Sequence, residues 1–188
     1  MKNIGYFGAK LLYKLKRNDK EVISRYFRSS GMKIGGGCNI CCNIMTSEPY
    51  LISIGDNVTI AGNVTFVTHD NSISKIDTRY ANLFGYVEIG NNCFLGQNVT
   101  VLYGVTLANN IIVASGSVVC NSFNEENIII GGNPAKKIGN WNSLEVKGKC
   151  YAMKKREAFE AAENKEYRKF IKRKKCNGRI SKYCCACV

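Results

Sequence analysis

"VEIGNNCFLGQNVTVLYGVTLANNIIVASGSVV", residues 87–119, decides the fold. Steps of six from Ile89 reach Leu95, Val101, Leu107, Val113 and Val119, all aliphatic. Four residues after each anchor stand Cys93, Val99, Val105, Ile111, Ser117 and Phe123. Only Ser117 among these twelve positions is not hydrophobic, against 45% hydrophobic residues in the whole chain. The six anchors alone would align by chance in about one register in a hundred. The frame also runs through Ile34 and Ile40, and through Ile54, Ile60 and Phe66.

The slot three residues after the anchor holds Gly37, Asn43, Asn57, Asn63, Asn92, Asn98, Gly104, Asn110 and Gly116. Glycine and asparagine enter positive φ most cheaply, so each repeat reads as a short strand closed by a left-handed corner. Strands this short hold no core alone, and they become stable when successive coils stack their anchors into one apolar column. The expected core is all β, a solenoid.

Applied one step further, the frame puts His69 in the slot after Phe66, and His69 is the only histidine of the chain. Histidine is one of the larger residues that tolerate positive φ, so the corner can hold it. The period then lapses over residues 70–86 and resumes at Ile89. An insertion of that length without structure of its own is uncommon in a compact domain and is usually functional. A histidine at the mouth of such a loop is a candidate catalytic residue.

Composition narrows the alternatives. The net charge of +13 resides in the flanks: residues 1–33 hold nine Lys/Arg against two acids, residues 34–143 four against seven, and residues 144–188 fourteen against five. The middle is slightly acidic, which argues against a nucleic-acid partner for it. Lysines interrupt the first apolar residues, no long apolar run follows, and the ten scattered cysteines accompany no export signal, so a cytoplasmic protein with reduced thiols is expected.

The hexapeptide frame, "IGDNVTIAGNVTFVTHD" at 54–70, the 87–119 array and "GGNPAKKIG" at 131–139 together resemble the left-handed β-helix acyltransferases, most closely the branch that acetylates sugars and polysaccharides. The resemblance covers about residues 30–140. It implies a left-handed parallel β-helix of three sides, a homotrimer with active sites between subunits, acetyl-CoA as co-substrate, a carbohydrate acceptor, and direct transfer without an acyl-enzyme. The γ-class carbonic anhydrases share this solenoid but hold zinc with three histidines; one histidine excludes that site, and no metal is expected.

Chemistry and resemblance combine at the site. A sugar hydroxyl needs a base as it attacks a thioester, and an imidazole titrating near ~6.5 suits that task, which His69 would perform. Asp70 is its sequence neighbour, but adjacency does not decide between orienting the imidazole and meeting the acceptor. The resemblance places a backbone N–H for the oxyanion at Gln97, coenzyme contacts at Ser115, Cys120 and Asn121, and a phosphate contact at Lys136, shared by Lys137. It places an acceptor-shaping aromatic at Phe94 and an acceptor contact at Asn43, which fits the corner pattern equally well. Asp77 and Arg79 in the loop are polar enough to touch a glycan. Transfer to an amino sugar, or a solenoid serving only as a binding scaffold, are the alternatives.

Three segments are expected: a helical cap over 1–30, the β-helix over 31–140 with the excursion at 70–86, and a basic, partly helical extension over 141–188. In the first, Ile4, Phe7, Gly8, Leu11, Leu12 and Leu15 form a stripe at helical spacing, and a second helix follows Asn18-Asp19. The preferred reading is that these helices cover the open end of the solenoid; docking on an anionic membrane is the other. Residues 151–175 are expected to be helical, and "CCAC" at 184–187 to play no metal-binding part.

Overall fold

Strands two or three residues long stand at every anchor. The computed structural model describes residues 2–149 and 152–169. Parallel strands stack into three faces, and Ala135–Asn140, joined to its neighbour by only two residues, adds an antiparallel strand to the second. The first holds Lys33–Ile34, Ile52–Ile54, Val87–Ile89 and Thr106–Leu107. The second holds Asn39–Ile40, Thr59–Ile60, Phe94–Leu95, Ile112–Val113, Ile128–Gly132 and Ala135–Asn140. The third holds Thr65–Phe66, Thr100–Val101 and Val118–Val119. The pairs Glu88 with Thr106, Phe94 with Ile112 and Thr100 with Val118 each lie 18 residues apart, so three hexapeptides complete one coil.

All eleven anchors, from Ile34 to Val119, are buried, and so are their companions Cys38, Val58, Val64, Cys93, Val99, Val105, Ile111 and Ser117. Phe123 is partly buried against the same core. Ser117 is tolerated there because its hydroxyl donates to Ala114 O at 2.6 Å and accepts from Gly132 N–H at 3.1 Å. The thiols of Cys38 and Cys93 donate to Gly55 O and Ala108 O, and burial pushes both up, so they stay neutral and pack as small hydrophobes.

Eight of the nine corner residues adopt positive φ. Asn43 does not, so the corner pattern does not account for it. Asn127, outside the frame, makes a further left-handed turn. The doublets Asp56-Asn57, Asn91-Asn92 and Asn109-Asn110 have two distinct jobs. The first residue accepts from the backbone of the preceding coil: Gly36 N–H donates to Asp56 Oδ1, Asp56 N–H to Asn91 Oδ1 and Asn91 N–H to Asn109 Oδ1, at 2.7 to 2.8 Å. The second takes the turn and bonds its own kind, Asn57 Nδ2 to Asn92 Oδ1 and Asn92 Nδ2 to Asn110 Oδ1. The preceding glycine gives them room: a Cβ on Gly55 would stand 2.4 Å from Asn91 Oδ1.

The excursion has structure, contrary to the expectation of a bare loop. His69–Asp70 pairs antiparallel with Leu83–Phe84, and a single helical turn spans Ile73–Ile76. His69 therefore lies in an extended strand and takes no positive φ, so the corner slot does not explain it. The chain rejoins the coil at Gly85, whose N–H donates to Thr68 O at 3.2 Å. Only glycine fits there, since a Cβ would come within 2.3 Å of Gly104 N.

Two helices precede the coils, α1 over Lys2–Leu15 and α2 over Glu21–Ser29. Helix α2 buries Val22, Ile23 and Phe27. Arg28 ties it to the first coil by donating to Ile34 O and Gly35 O, both at 2.7 Å. Helix α1 packs Tyr6, Ala9 and Tyr13 against the core. The stripe expected to serve as the cap faces the other way: Phe7, Leu11, Leu12 and Leu15 are exposed. Two aromatic rings and an alanine fill the narrow contact that the wider stripe was expected to make.

The chain parts into two compact units between Ile138 and Gly139, and the two helices belong with the coils in the first. Asn133-Pro134 is a cis peptide linking Ile128–Gly132 to Ala135–Asn140, the last strand of the second face. In the second unit a helix not foreseen spans Trp141–Lys149 and another Lys155–Asn164, the latter capped by Lys154 N–H donating to Glu157 Oε2. The expected helical residues 170–175 and the "CCAC" segment lie outside the described residues. Among the described residues no helix is long and apolar enough to cross a membrane.

Candidate active site

Where the third face ends, the chain turns outward instead of into the next corner. His69 Nδ1 lies 2.8 Å from Glu48 Oε2. The same oxygen accepts the Thr68 hydroxyl at 2.7 Å, and Thr46 Oγ1 is 2.8 Å from Thr68 Oγ1. The Glu48 side chain is only 14% exposed, while that of His69 is 41% exposed. A carboxylate accepts, so this geometry assigns the proton to Nδ1 and leaves the Nε2 lone pair for a substrate. The Phe84 ring, 5.5 Å from the imidazole between centroids, packs beside it and limits its rotation.

Glu48, the partner of the imidazole, is a residue that the sequence reading missed. One signal pointed to it: Ile34 pairs with Ile54, 20 residues away rather than 18, so the first coil is two residues longer and bulges around Glu48-Pro49. The imidazole bonds Glu48, not its sequence neighbour Asp70. Adjacent residues in a strand point to opposite sides, and Asp70 Oδ1 instead accepts Ser72 N–H at 2.7 Å to start the loop.

The other expected residues separate by edge. The register sets Cys120 and Asn121, which follow Val119, on the same edge as His69, between the third and first faces. Gln97 and Ser115 stack on the edge between the second and third faces, where Gln97 N–H donates to Ser115 Oγ at 3.1 Å. Phe94 lies on the second face between Thr59 and Ile112. Asn43 is half-buried in the first coil and has a partner.

Lys136 and Lys137 sit on the strand that extends the second face, and they part company there: Lys137 pairs with Glu125, while Lys136 stands exposed. Asp77 and Arg79 pair with each other through several hydrogen bonds, which hold the Asp77 carboxyl below its ordinary range. Among the described residues no group of three or more His, Cys, Asp or Glu is placed to hold a metal ion.

Protein CapG of Staphylococcus aureus is 42% identical to the chain over 144 residues, 73% of this chain and 81% of that protein. A maltose O-acetyltransferase from Clostridium difficile 630 superposes with a TM-score of 0.50 at 25% identity, over 70% of this chain and 83% of that one. The chain belongs to the left-handed β-helix, hexapeptide-repeat acyltransferase family. The fold of a galactoside acetyltransferase, solved in complex with coenzyme A, matches at a TM-score of 0.54 and 23% identity over 73% of this chain and 77% of that one. No family model matches the chain.

Proposed function

We propose that the chain transfers an acetyl group from acetyl-CoA to a hydroxyl of a sugar or polysaccharide precursor, with His69 as general base and the coil wound left-handed. The observation that carries this reading is the Glu48 carboxylate at His69 Nδ1, which presents Nε2 in its basic form. The acceptor hydroxyl gives its proton to Nε2 as its oxygen attacks the thioester carbon. The tetrahedral intermediate then collapses, expelling the thiolate of coenzyme A, which takes the proton back from the imidazolium. No acyl-enzyme forms.

The oxyanion requires a donor at the thioester oxygen, and Gln97 N–H is the assigned one. Ser115 Oγ now accepts that N–H, so the hydroxyl has to yield its place when the thioester arrives. His69 and Gln97 lie on different edges of one prism, so the reading requires a neighbouring copy to complete each site; a homotrimer does this with three equivalent clefts. Lys136, left unpaired to Glu125 by Lys137, is the residue assigned to a coenzyme phosphate. Phe94 and Phe84 offer apolar faces to a sugar ring, and Asn43 a polar contact.

The test is thiol release from acetyl-CoA with a panel of sugars and amino sugars, comparing the parent with His69→Ala. Acetylation of a sugar oxygen that is lost in the variant supports the reading. Equal turnover by both proteins overturns the base, product acetylated on nitrogen overturns the acceptor, and no release with any acceptor favours the scaffold.

A further inference from the structure

Helix α1 has two apolar faces, and the coils use only one of them. Tyr6, Ala9 and Tyr13 pack inward. Phe7, Leu11 and Leu15 follow one another at the spacing of one helical turn and are 77%, 57% and 73% exposed. At 3.6 residues per turn their row lies about 165° round the helix from the packed face, so it points away from the body of the unit. Lys14 borders this row, and Lys16 follows Leu15 at the end of the helix, both exposed.

Residues 1–18 contain Lys2, Lys10, Lys14, Lys16 and Arg17 and no acid. A groove of about 380 Å³ between α1 and α2, lined in part by Gly5, Gly8, Leu12, Lys16 and Arg25, carries the same mixture of apolar and cationic groups beyond the stripe. A solvated helix has no use for three large side chains in a row. A second copy docking through the same face would set lysines against lysines.

We propose that α1 lies flat on an anionic lipid surface, with Phe7, Leu11 and Leu15 in the acyl boundary and Lys14, Lys16 and Arg17 at the headgroups. The apolar row supplies the insertion and the lysines supply the choice of lipid. The proposal is independent of the chemistry at His69: it positions the protein at a bilayer and assigns no substrate.

The experiment is co-sedimentation of the full chain with vesicles of phosphatidylcholine alone and of phosphatidylcholine with about a quarter phosphatidylglycerol. Sedimentation with the anionic vesicles, reduced by salt, is expected. Leu11→Gln with Leu15→Gln should lower partitioning by at least about tenfold, and Lys14→Gln or Lys16→Gln by about fivefold each, with unfolding temperature and oligomeric state unchanged. Binding that ignores lipid charge, or equal binding by the leucine variant, which keeps the basic C-terminal extension, overturns the proposal. A smaller oligomer in that variant also overturns it, because the stripe would then belong to a subunit contact.

Discussion

The edge between the first and second faces and the edge between the third and first faces are made of the same repeat, yet they differ in what governs the side chain. On the first edge Gly37, Asn57, Asn92 and Asn110 all take left-handed φ, and Asn57, Asn92 and Asn110 bond one another in a ladder. The backbone dictates those residues, and they have no chemistry to spare. On the other edge Gly104 keeps the left-handed turn, but one coil earlier the insertion carries the turn and His69 lies in a strand. Freed from the demand for positive φ, that position holds a residue suited to catalysis. The repeat is broken where the proposed base stands.

That contrast is easiest to break with the two kinds of edge residue. His69→Ala should lower kcat/KM by about 10² to 10⁴ and change stability by no more than about 0.5 kcal/mol, measured by initial rates and denaturant unfolding. Glu48→Gln should follow at a loss of about one to two orders of magnitude in kcat. The amide can hold the ring but cannot favour the imidazolium, and the half-exposed site makes the loss smaller than the ~10⁴ of a buried triad.

The first edge should respond in the opposite way. Asn92→Ala loses an inexpensive left-handed residue and two ladder hydrogen bonds, and should destabilise by about 1 to 3 kcal/mol without altering kcat. Asn92→Gly restores the backbone freedom and loses only the ladder, so it should recover about half of that loss. Equal losses in the two variants, read from denaturant midpoints, would transfer the stabilising role from the turn to the side-chain ladder.

The same division explains what was legible in the sequence. Anchors and corners repeat because one backbone geometry repeats, so the solenoid, the buried columns and eight corners could be read from the chain alone, while its three sides came only with the family resemblance. His69 was legible as a break in the pattern, although the reason offered for it, a tolerated corner, is not the one the strand gives. Glu48 left only a faint signal, because its partner is 21 residues away and the bulge that carries it alters the coil by only two residues. Which face of α1 would pack inward was equally hidden: by hydrophobicity Phe7, Leu11 and Leu15 outweigh Tyr6, Ala9 and Tyr13, and only tertiary contact with Tyr26 and Phe27 reverses the order.

That inward face supplies the smallest of the expected effects, one that compares the helices with the coils. Burial first, and then the neighbouring thiols of Cys42 and Cys41, push the Tyr6 phenol up from the ordinary 10.0 to about 12. The folded state thus holds the neutral phenol where the unfolded chain would release its proton. Whatever this contributes is complete below pH 10 and is lost as the pH rises toward about 12. Tyr6→Phe should accordingly show a flatter decline of stability across that window than the parent, with little difference at neutral pH. Phenolate absorbance provides the second reading, since the late ionisation step of the parent should vanish in the variant. Were the parent to show no such late step, Tyr6 would not be held in its buried place at alkaline pH, and the attachment of α1 would be looser than that of α2.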